Sequence, residues 1–219
     1  FMASKLRIGV ISTRLEGTDG VSLETRKWVR TLDALGHDCF FFAGASEWPA
    51  ERSMVVEEAH FAHPDILAIN ADLFDDDRRA VDTSRQIERI HDHLKDRLRR
   101  FVHQFEIDLL LVENALAIPM NVPLGLALTD LVAETSLPVI AHHHDFYWER
   151  ARFSVSAAAD YLQAAFPPTL PHFHHVVINS FAQRQLALRT GVSSTLIPNV
   201  MDFESPPPPA GEFSSDLRA

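Results

Sequence analysis

The segment that decides the fold is LRIGVIS at residues 6–12, followed by the loop GTDG at residues 17–20. The first segment is short, apolar and β-branched, which is typical of a strand covered on both faces. The glycines then interrupt the chain, and a helix is predicted at residues 21–35, ended by Gly36. A second apolar strand, CFFFA, follows at residues 39–43. This order predicts a right-handed βαβ unit with parallel strands.

The same alternation continues along the chain. Further strands are predicted at residues 107–112, 137–141, 176–178 and 194–197, with a short strand at 66–69, and further helices at residues 122–134, 154–166 and 180–190. Within residues 72–105, a long charged helix is predicted from one apolar stripe at Ile87, Ile90, Leu94, Leu98, Phe101 and Phe105. The apolar side of the first helix is predicted at Leu23, Trp28, Leu32 and Leu35. Apolar strands alternating with helices predict an α/β fold, a Rossmann-like open parallel sheet with helices on both faces.

Composition narrows the class of function. The 219 residues carry 20 Lys and Arg against 30 Asp and Glu, a net charge of −10, which disfavours binding to nucleic acid. The single cysteine, Cys39, is predicted to be a buried, inert thiol, and a chain without an internal disulfide fits the cytoplasm. Apolar runs fall short of the roughly 20 residues that span a bilayer, so no transmembrane segment is expected. Peripheral contact with a membrane surface stays open.

Domain boundaries follow from the proline content. Residues 1–204 are predicted to form one domain. Residues 205–219 contain four consecutive prolines and are predicted to be a linker.

Polar residues follow the carboxyl ends of the predicted strands, where ligands bind in open parallel sheets. They lie at residues 17–20, 113–114, 142–145, 179–180 and at Asn199. We expect them to meet along one edge of the sheet.

Several standard catalytic and nucleotide-binding motifs are absent. The chain has no G-x-G-x-x-G fingerprint, no Gly-Lys-Ser/Thr of a P-loop and no G-x-S-x-G elbow of a serine hydrolase. The loop at residues 17–20 can still present backbone N–H groups to an anion at the start of a helix. The alternative is that Gly17 and Gly20 only form a tight turn.

The sequence HHHD at residues 142–145 offers two interpretations. Consecutive residues of a strand point to opposite faces, so neighbouring histidines cannot easily bind one ion, and no metal site is predicted. A metal-dependent hydrolase that recruits His172, His174 and His175 remains an alternative. A strand-end His-Asp pair followed by the aromatic residues 146–148 instead suits a ligand rich in hydroxyl groups.

Arginines follow this cluster directly. Glu149, Arg150 and Arg152 are predicted to lie at the rim of the cleft, where a guanidinium can hold a carboxylate or phosphate through two hydrogen bonds. The alternative is an ion pair between arginine and a nearby carboxylate of the chain.

Several of these segments, in order, carry a family resemblance. RIGVIS, GTDGVSLE and LGHD within residues 7–38, PVIAHHHDF at residues 138–146 and IPNVMD at residues 197–202 resemble the amino-terminal domain of family 4 (group 1) glycosyltransferases. The resemblance implies one half of a GT-B fold, in which two Rossmann-like domains face each other across a cleft. The amino-terminal domain binds the acceptor, and the carboxyl-terminal domain binds the nucleotide-sugar donor and carries an E-x7-E motif. It also implies transfer with retention, without a bound metal or other cofactor.

The resemblance transfers roles to individual residues. Gly20 matches the glycine whose backbone approaches the donor diphosphate, and Asp19 stands where many members have another glycine. A carboxylate there would repel phosphate, so Asp19 is assigned to an acceptor hydroxyl. His144 matches the histidine that contacts the transferred sugar or lies beside the acceptor; it is the predicted catalytic residue and is accompanied by Asp145.

The complete set of predicted substrate-binding residues is Gly17, Asp19, Gly20, Asn114, His144, Asp145, Tyr147, Glu149, Arg150, Arg152 and Asn199. In the last motif, Val200 replaces the usual glycine. The function implied is the acceptor side of a retaining glycosyltransferase that uses a nucleotide-sugar and a hydroxyl acceptor and is inactive without its donor domain. The alternative from another class is a stand-alone binding module of Rossmann-like fold.

Overall fold

The computed structural model describes residues 5–74 and 76–200. Its centre is a sheet of seven strands: β1 (Arg7–Ile11), β2 (Asp38–Ala43), β3 (Ser53–Val55), β4 (Leu109–Glu113), β5 (Val139–His143), β6 (Phe173–Val177) and β7 (Ser194–Leu196). The order across the sheet is β3-β2-β1-β4-β5-β6-β7, and every neighbouring pair is parallel. The predicted open parallel sheet is confirmed. The predicted linker, residues 205–219, lies outside the described residues.

Helices cover both faces of the sheet. They are α1 (Gly20–Ala34), α2 (Pro64–Leu73), α3 (Val81–Gln104), α4 (Val122–Thr135), α5 (Ala159–Ala165) and α6 (Ser180–Thr190). Val29 of α1 packs in one core with Ile8 and Val10 of β1. The other five helices contribute to the core on the opposite face.

The long amphipathic helix is confirmed as α3. Five side chains of the predicted apolar stripe are buried on it: Ile87, Ile90, Leu94, Leu98 and Phe101. Burying each contributes about 1.5–3 kcal/mol, so this stripe anchors α3 to the sheet and to α4. The charged residues of the helix lie mainly on its outer face, where Lys95 and Arg99 pair with Glu134 of α4.

Three local predictions were wrong. The helix predicted at residues 154–166 is shorter and comprises Ala159–Ala165. Residues 66–69 belong to α2, because Pro64 occupies its first turn and the buried side chains Ile66, Ile69 and Leu73 follow a helical spacing.

The buried side of α1 also differs from the prediction. Leu23 and Leu35 are exposed, whereas Ser22, Thr25 and Val29 are buried. Only Trp28 and Leu32 of the predicted apolar side pack against the core, and both stay partly exposed.

The chain reverses its direction of travel across the sheet between β1 and β4. From β1 the chain moves outward through α1 to β2 and β3, and from β4 it moves the other way through α4 to β5. The connections that leave β1 and β4 therefore diverge and open a crevice at the carboxyl ends of these two strands. Ligands of open α/β sheets bind at such a switch point.

In the part of the chain that the structure describes, none of the helices has both the length and the apolar character needed to cross a membrane.

A substitution at Gly44 tests the packing beside this crevice. A Cβ added to Gly44 would lie 2.1 Å from the backbone nitrogen of His60, whereas one added to Gly20 would meet nothing within 4 Å. We therefore expect Gly44→Ala to lower the free energy of unfolding by about 1–3 kcal/mol, because the backbone must shift. Gly20→Ala, the matched control, should change it by less than about 1 kcal/mol. Equal urea midpoints for the two variants would contradict this packing.

Candidate functional site

A cavity of about 330 Å³ opens at the carboxyl ends of β1 and β4, at the switch point. Its polar and charged lining consists of Ser12, Thr13, Arg14, Asp19, Glu113, Asn114, Arg150 and Arg152, and its apolar lining of Val21, Phe61, Ala115, Ile118 and Met120. A larger cavity, about 700 Å³, is formed by α5, α6 and the segment after β5. The smaller cavity is the candidate site, because the residues that follow β1 and β4 line it, although His144 and Asp145 are not among its lining residues.

Three arginines line this cavity, and two of them are paired with carboxylates. Arg14 pairs with Asp19 at 2.6 Å, and Arg150 pairs with Asp145. Among the described residues, no carboxylate lies within salt-bridge distance of Arg152, whose guanidinium contacts the sulfur of Met120. Partial burial, and then the charge of Arg150, lower the pKa of Arg152, although an arginine remains charged at neutral pH. Arg152 is therefore the cation available to an anionic ligand.

Asn114 ties the end of β4 to the turn that follows β5. Its backbone adopts φ 57°, a left-handed conformation that asparagine tolerates better than most residues. Its side-chain oxygen accepts from the backbone N–H of His144 at 3.0 Å, and its amide nitrogen donates to Asp145 at 3.3 Å. Asn114 thus fixes both predicted strand-end residues relative to the cavity that it lines.

The centre of this edge is a buried carboxylate between two histidines. Glu113 and His142 are register partners on β4 and β5, and both side chains are fully buried. One oxygen of Glu113 lies 2.8 Å from Nδ1 of His142 and 3.8 Å from Nε2 of His144. Burial alone would raise the pKa of Glu113, but the contacts with His142 and, at longer range, with His144 outweigh it and hold this pKa below its ordinary value.

Glu113, His142 and His144 could also be considered as ligands of a metal ion, since their donor atoms lie within 4.8 Å of one another. Zinc bonds of about 2.0–2.2 Å place the donors of a tetrahedral site roughly 3.3 Å apart. The spacings of 2.8 Å and 3.8 Å around one carboxylate oxygen instead describe a hydrogen-bonded contact and a looser ionic one. The group would have to rearrange to bind zinc.

The other histidines of the hydrolase alternative lie elsewhere. Nδ1 of His175 contacts Nε2 of His143 at 2.9 Å, and both rings are buried on the opposite face of the sheet from His142. His174 contacts Thr195 at 2.9 Å. The expected alternation of faces within residues 142–144 is confirmed, and it separates His143 from its two neighbours.

The carboxylate of Asp19, in the loop after β1, accepts hydrogen bonds from neighbouring backbone groups. Asp19 accepts hydrogen bonds from the backbone N–H groups of Val21 and Ser22 at 3.0 and 3.2 Å and thereby caps α1. These N–H groups already have an acceptor, which reduces what the loop can offer to a phosphate. Gly17 adopts φ 87° and lines a separate shallow cleft, and Gly20 is the first residue of α1.

The remaining predicted residues are dispersed around this edge. Tyr147 lines the larger cavity, and the carboxylate of Glu149 accepts from the backbone N–H of Phe146 at 3.2 Å. Burial raises the pKa of Glu149. Asn199 is exposed, and the carbonyl of the next residue, Val200, accepts from Lys27 of α1 at 2.6 Å. The segment after β7 therefore reaches α1.

Among the charged residues of the site, Arg14 was missed in the sequence, and Glu113 was noted only as a strand-end polar residue. Arg14 follows β1 and belongs to no recognisable sequence motif. Its ion-pair partner, Asp19, lies five residues further along the same loop. Glu113 was visible as a strand-end carboxylate, but its contact with His142 depends on the register of β4 against β5. Cys39, in contrast, is buried as predicted, and burial raises its pKa to about 12, which keeps the thiol protonated.

Comparison with known proteins finds two relatives, both named mannosylglucosylglycerate synthase and both glycosyltransferases. The one from Thermotoga maritima is 33% identical over 208 residues, which is 92% of this chain and 46% of the relative. The one from Petrotoga mobilis is 30% identical over 213 residues, 90% of this chain and 46% of the relative. The chain thus spans about half the length of the curated relatives that it matches. No protein-family model matches it.

Among solved structures, an alpha-glucosyltransferase in complex with UDP and a 13-mer DNA matches 90% of this chain and 42% of its own. The sequence identity is 12% and the TM-score is 0.44. At this TM-score the likeness carries no argument about function.

The pair His143–His175 makes stability depend on pH. Burial lowers the pKa of His175 from 6.5 to about 4, and that of His143 well below 6.5. As the pH falls, the unfolded chain binds these protons first, so the stability that the neutral pair contributes is complete above about pH 6.5 and is lost down to about pH 4. We expect His175→Gln to flatten this dependence by up to about 1.4 kcal/mol per pH unit.

Urea unfolding at several pH values between about 4.5 and 7.5 measures this slope. His103→Gln is the matched control, because His103 is exposed in the last turn of α3. A parallel loss of slope in both variants would show that the buried pair is not its source.

Proposed function

We propose that this chain is the acceptor-binding half of a retaining glycosyltransferase, which transfers a sugar from a nucleotide-sugar to a hydroxyl group of an anionic glycoside. The observation that carries the proposal is the cavity at the switch point, whose lining combines hydrogen-bonding groups with Arg152, a cation with no carboxylate partner in the described part of the chain. The similarity to two glycosyltransferases along nine-tenths of the chain supports the reaction class.

The acceptor proposed is a glucosylated glycerate. The name of the two relatives describes a product with a mannosyl, a glucosyl and a glycerate group, and such a product forms when a mannosyl group is added to glucosylglycerate. Glycerate carries a carboxylate, for which a guanidinium is the best-matched partner in proteins. Arg152 is assigned to this carboxylate, and Ser12 and Asn114 to hydroxyl groups of the glucosyl unit.

His144 is assigned to the reacting hydroxyl. Its backbone is held by Asn114, which lines the cavity, and its ring is 12% exposed. An imidazole at this place can accept a hydrogen bond from the acceptor hydroxyl and orient it, which is a positioning contribution to catalysis. Asp145 supports the same turn through Asn114 and Arg150.

The donor is proposed to bind mainly to a second domain, as the resemblance to family 4 glycosyltransferases implies. The described part of the loop after β1 fits this division, because Asp19 occupies two N–H groups at the start of α1. In this proposal the half-enzyme is inactive alone, uses no metal and works in the cytoplasm. The contact with nucleotide-sugar is limited to the rim near Gly20.

Acceptor binding can be measured on this chain without the second domain. We expect glucosylglycerate to bind in isothermal titration calorimetry, and Arg152→Gln to weaken binding about 10- to 100-fold, since a charge-assisted hydrogen bond contributes about 1.5–3 kcal/mol. Glucosylglycerol, which lacks the carboxylate, should bind equally weakly to both proteins.

Arg189→Gln is the matched control, because Arg189 lines the larger cavity. Weakened binding in this variant, with unchanged binding in Arg152→Gln, would move the acceptor site to the larger cavity. Equal affinity for the two glycosides would remove the carboxylate from the proposal.

Transfer requires both halves. Fused to the carboxyl-terminal half of the Thermotoga maritima relative, the chain should form mannosylglucosylglycerate from a mannosyl nucleotide, and His144→Ala should lower the rate at least about tenfold. Circular dichroism checks that this variant folds. Turnover by the 219-residue chain alone would contradict the division into halves, and unchanged kinetics would remove His144 from the site.

A further inference from the structure

We propose that Glu113 is a positioning residue of this site: its carboxylate holds His144 in the tautomer with the proton on Nε2, which leaves Nδ1 to accept a hydrogen bond from a bound hydroxyl. Glu113 is not among the residues that the resemblance marks as functional. The role toward a hydroxyl rests on the proposed function, whereas the tautomer is a property of the chain itself.

The contacts of Glu113 show which ring nitrogen of His142 and of His144 faces the carboxylate. The carboxylate oxygen nearest to them lies 2.8 Å from Nδ1 of His142 and 3.8 Å from Nε2 of His144. The first distance is a hydrogen bond, and the second is too long for one and is an electrostatic contact. Among the described residues, Nε2 of His144 is buried without a hydrogen-bond partner, and the Glu113 carboxylate 3.8 Å away is an acceptor that it faces.

An ionised carboxylate accepts hydrogen bonds and cannot donate them, so each nitrogen that faces it must carry a proton. In a neutral imidazole the other nitrogen is then the acceptor. This assigns the protons to Nδ1 of His142 and to Nε2 of His144. The carboxylate thereby selects a tautomer for the ring that Asn114 already holds through its backbone.

His142 and His144 are the main partners of the buried carboxylate of Glu113. The charged groups on the elements packed around the cluster form separate pairs: Arg14 with Asp19 after β1, Lys27 with Glu24 on α1, and Arg150 with Asp145 after β5. Arg152, also at the cavity, contacts Met120. The ring of Trp28 lies 5.0 Å from that of His142 and covers it from α1. A carboxylate buried in this way is stabilised only by hydrogen bonds and by charge on its neighbours.

Tautomers can be read directly by long-range ¹H–¹⁵N NMR of the imidazole rings in the 219-residue chain. At about pH 8, above the ordinary titration range of histidine, we expect the signals of His144 to show one tautomer, protonated at Nε2. In Glu113→Gln, which keeps the size and removes the charge, we expect a mixture of tautomers at His144 and unchanged signals at His91.

Asp130→Asn is the matched control. Asp130 faces Nε2 of His91 at 3.0 Å in an exposed pair between α4 and α3, so this variant should change His91 and leave His144 unchanged. If Glu113→Gln does not fold, the tautomer of His144 in the unsubstituted chain still tests the proposal. A Nδ1-protonated or mixed state of His144 in that chain would overturn the proposal, as would an unchanged tautomer in a folded Glu113→Gln.

Zinc titration of the same chain tests the competing use of this cluster. We expect no stoichiometric complex, and a one-to-one complex that Glu113→Gln abolishes would overturn the positioning role in favour of a metal site.

Kinetics of the fused enzyme separate positioning from the transfer function. Glu113→Gln should lower kcat at least about tenfold and change the KM for the donor less than about twofold, because only the orientation of the reacting hydroxyl is affected. The predicted NMR result together with unchanged kcat would support the tautomer and overturn its role in transfer. Loss of the predicted tautomer would overturn the positioning role even if the fused enzyme transfers sugar.

Discussion

The pairing of β1 with β4 is the constraint on which the rest of this structure depends. It joins residues about 100 positions apart: the backbone N–H of Arg7 donates to Asp108 at 2.8 Å, and the hydroxyl of Ser12 donates to the carbonyl of Glu113 at 3.0 Å. These contacts frame the two strands from one end to the other. Because the chain leaves the two strands in opposite directions, their carboxyl ends open a crevice.

The electrostatic environment of each histidine at this edge depends on the face of the sheet on which its side chain lies. His143 lies among apolar side chains with His175, where burial keeps both rings neutral. His142 and His144 lie on the other face, next to the buried carboxylate of Glu113. Histidine therefore packs in the core on one face and contacts a buried carboxylate on the other. Which of the two a histidine does depends on its position in the strand, because successive side chains point to opposite faces.

Most of the fold could be predicted because burial leaves a periodic trace in the sequence. The continuous apolar strands and the stripe of α3 were recognisable, since a doubly covered strand and an amphipathic helix have few alternatives. The segment at residues 66–69 was misassigned because four apolar residues are too few to separate a strand from a helix. On α1 the small polar side chains Ser22 and Thr25 are buried, so the hydrophobic residues did not mark the buried side.

For the site, the sequence by itself determined which polar residues follow the strands, including Asn114, His144 and Asp145, because a parallel sheet collects strand ends at one edge. Only the tertiary structure decided how they are joined. The hydrogen bonds of Asn114, the contact of Glu113 with His142 and the contact of Arg152 with Met120 depend on strand register and on turn geometry. Register is set by packing of the whole sheet rather than by any local pattern, so residues far apart in sequence carry no local sign that they will meet.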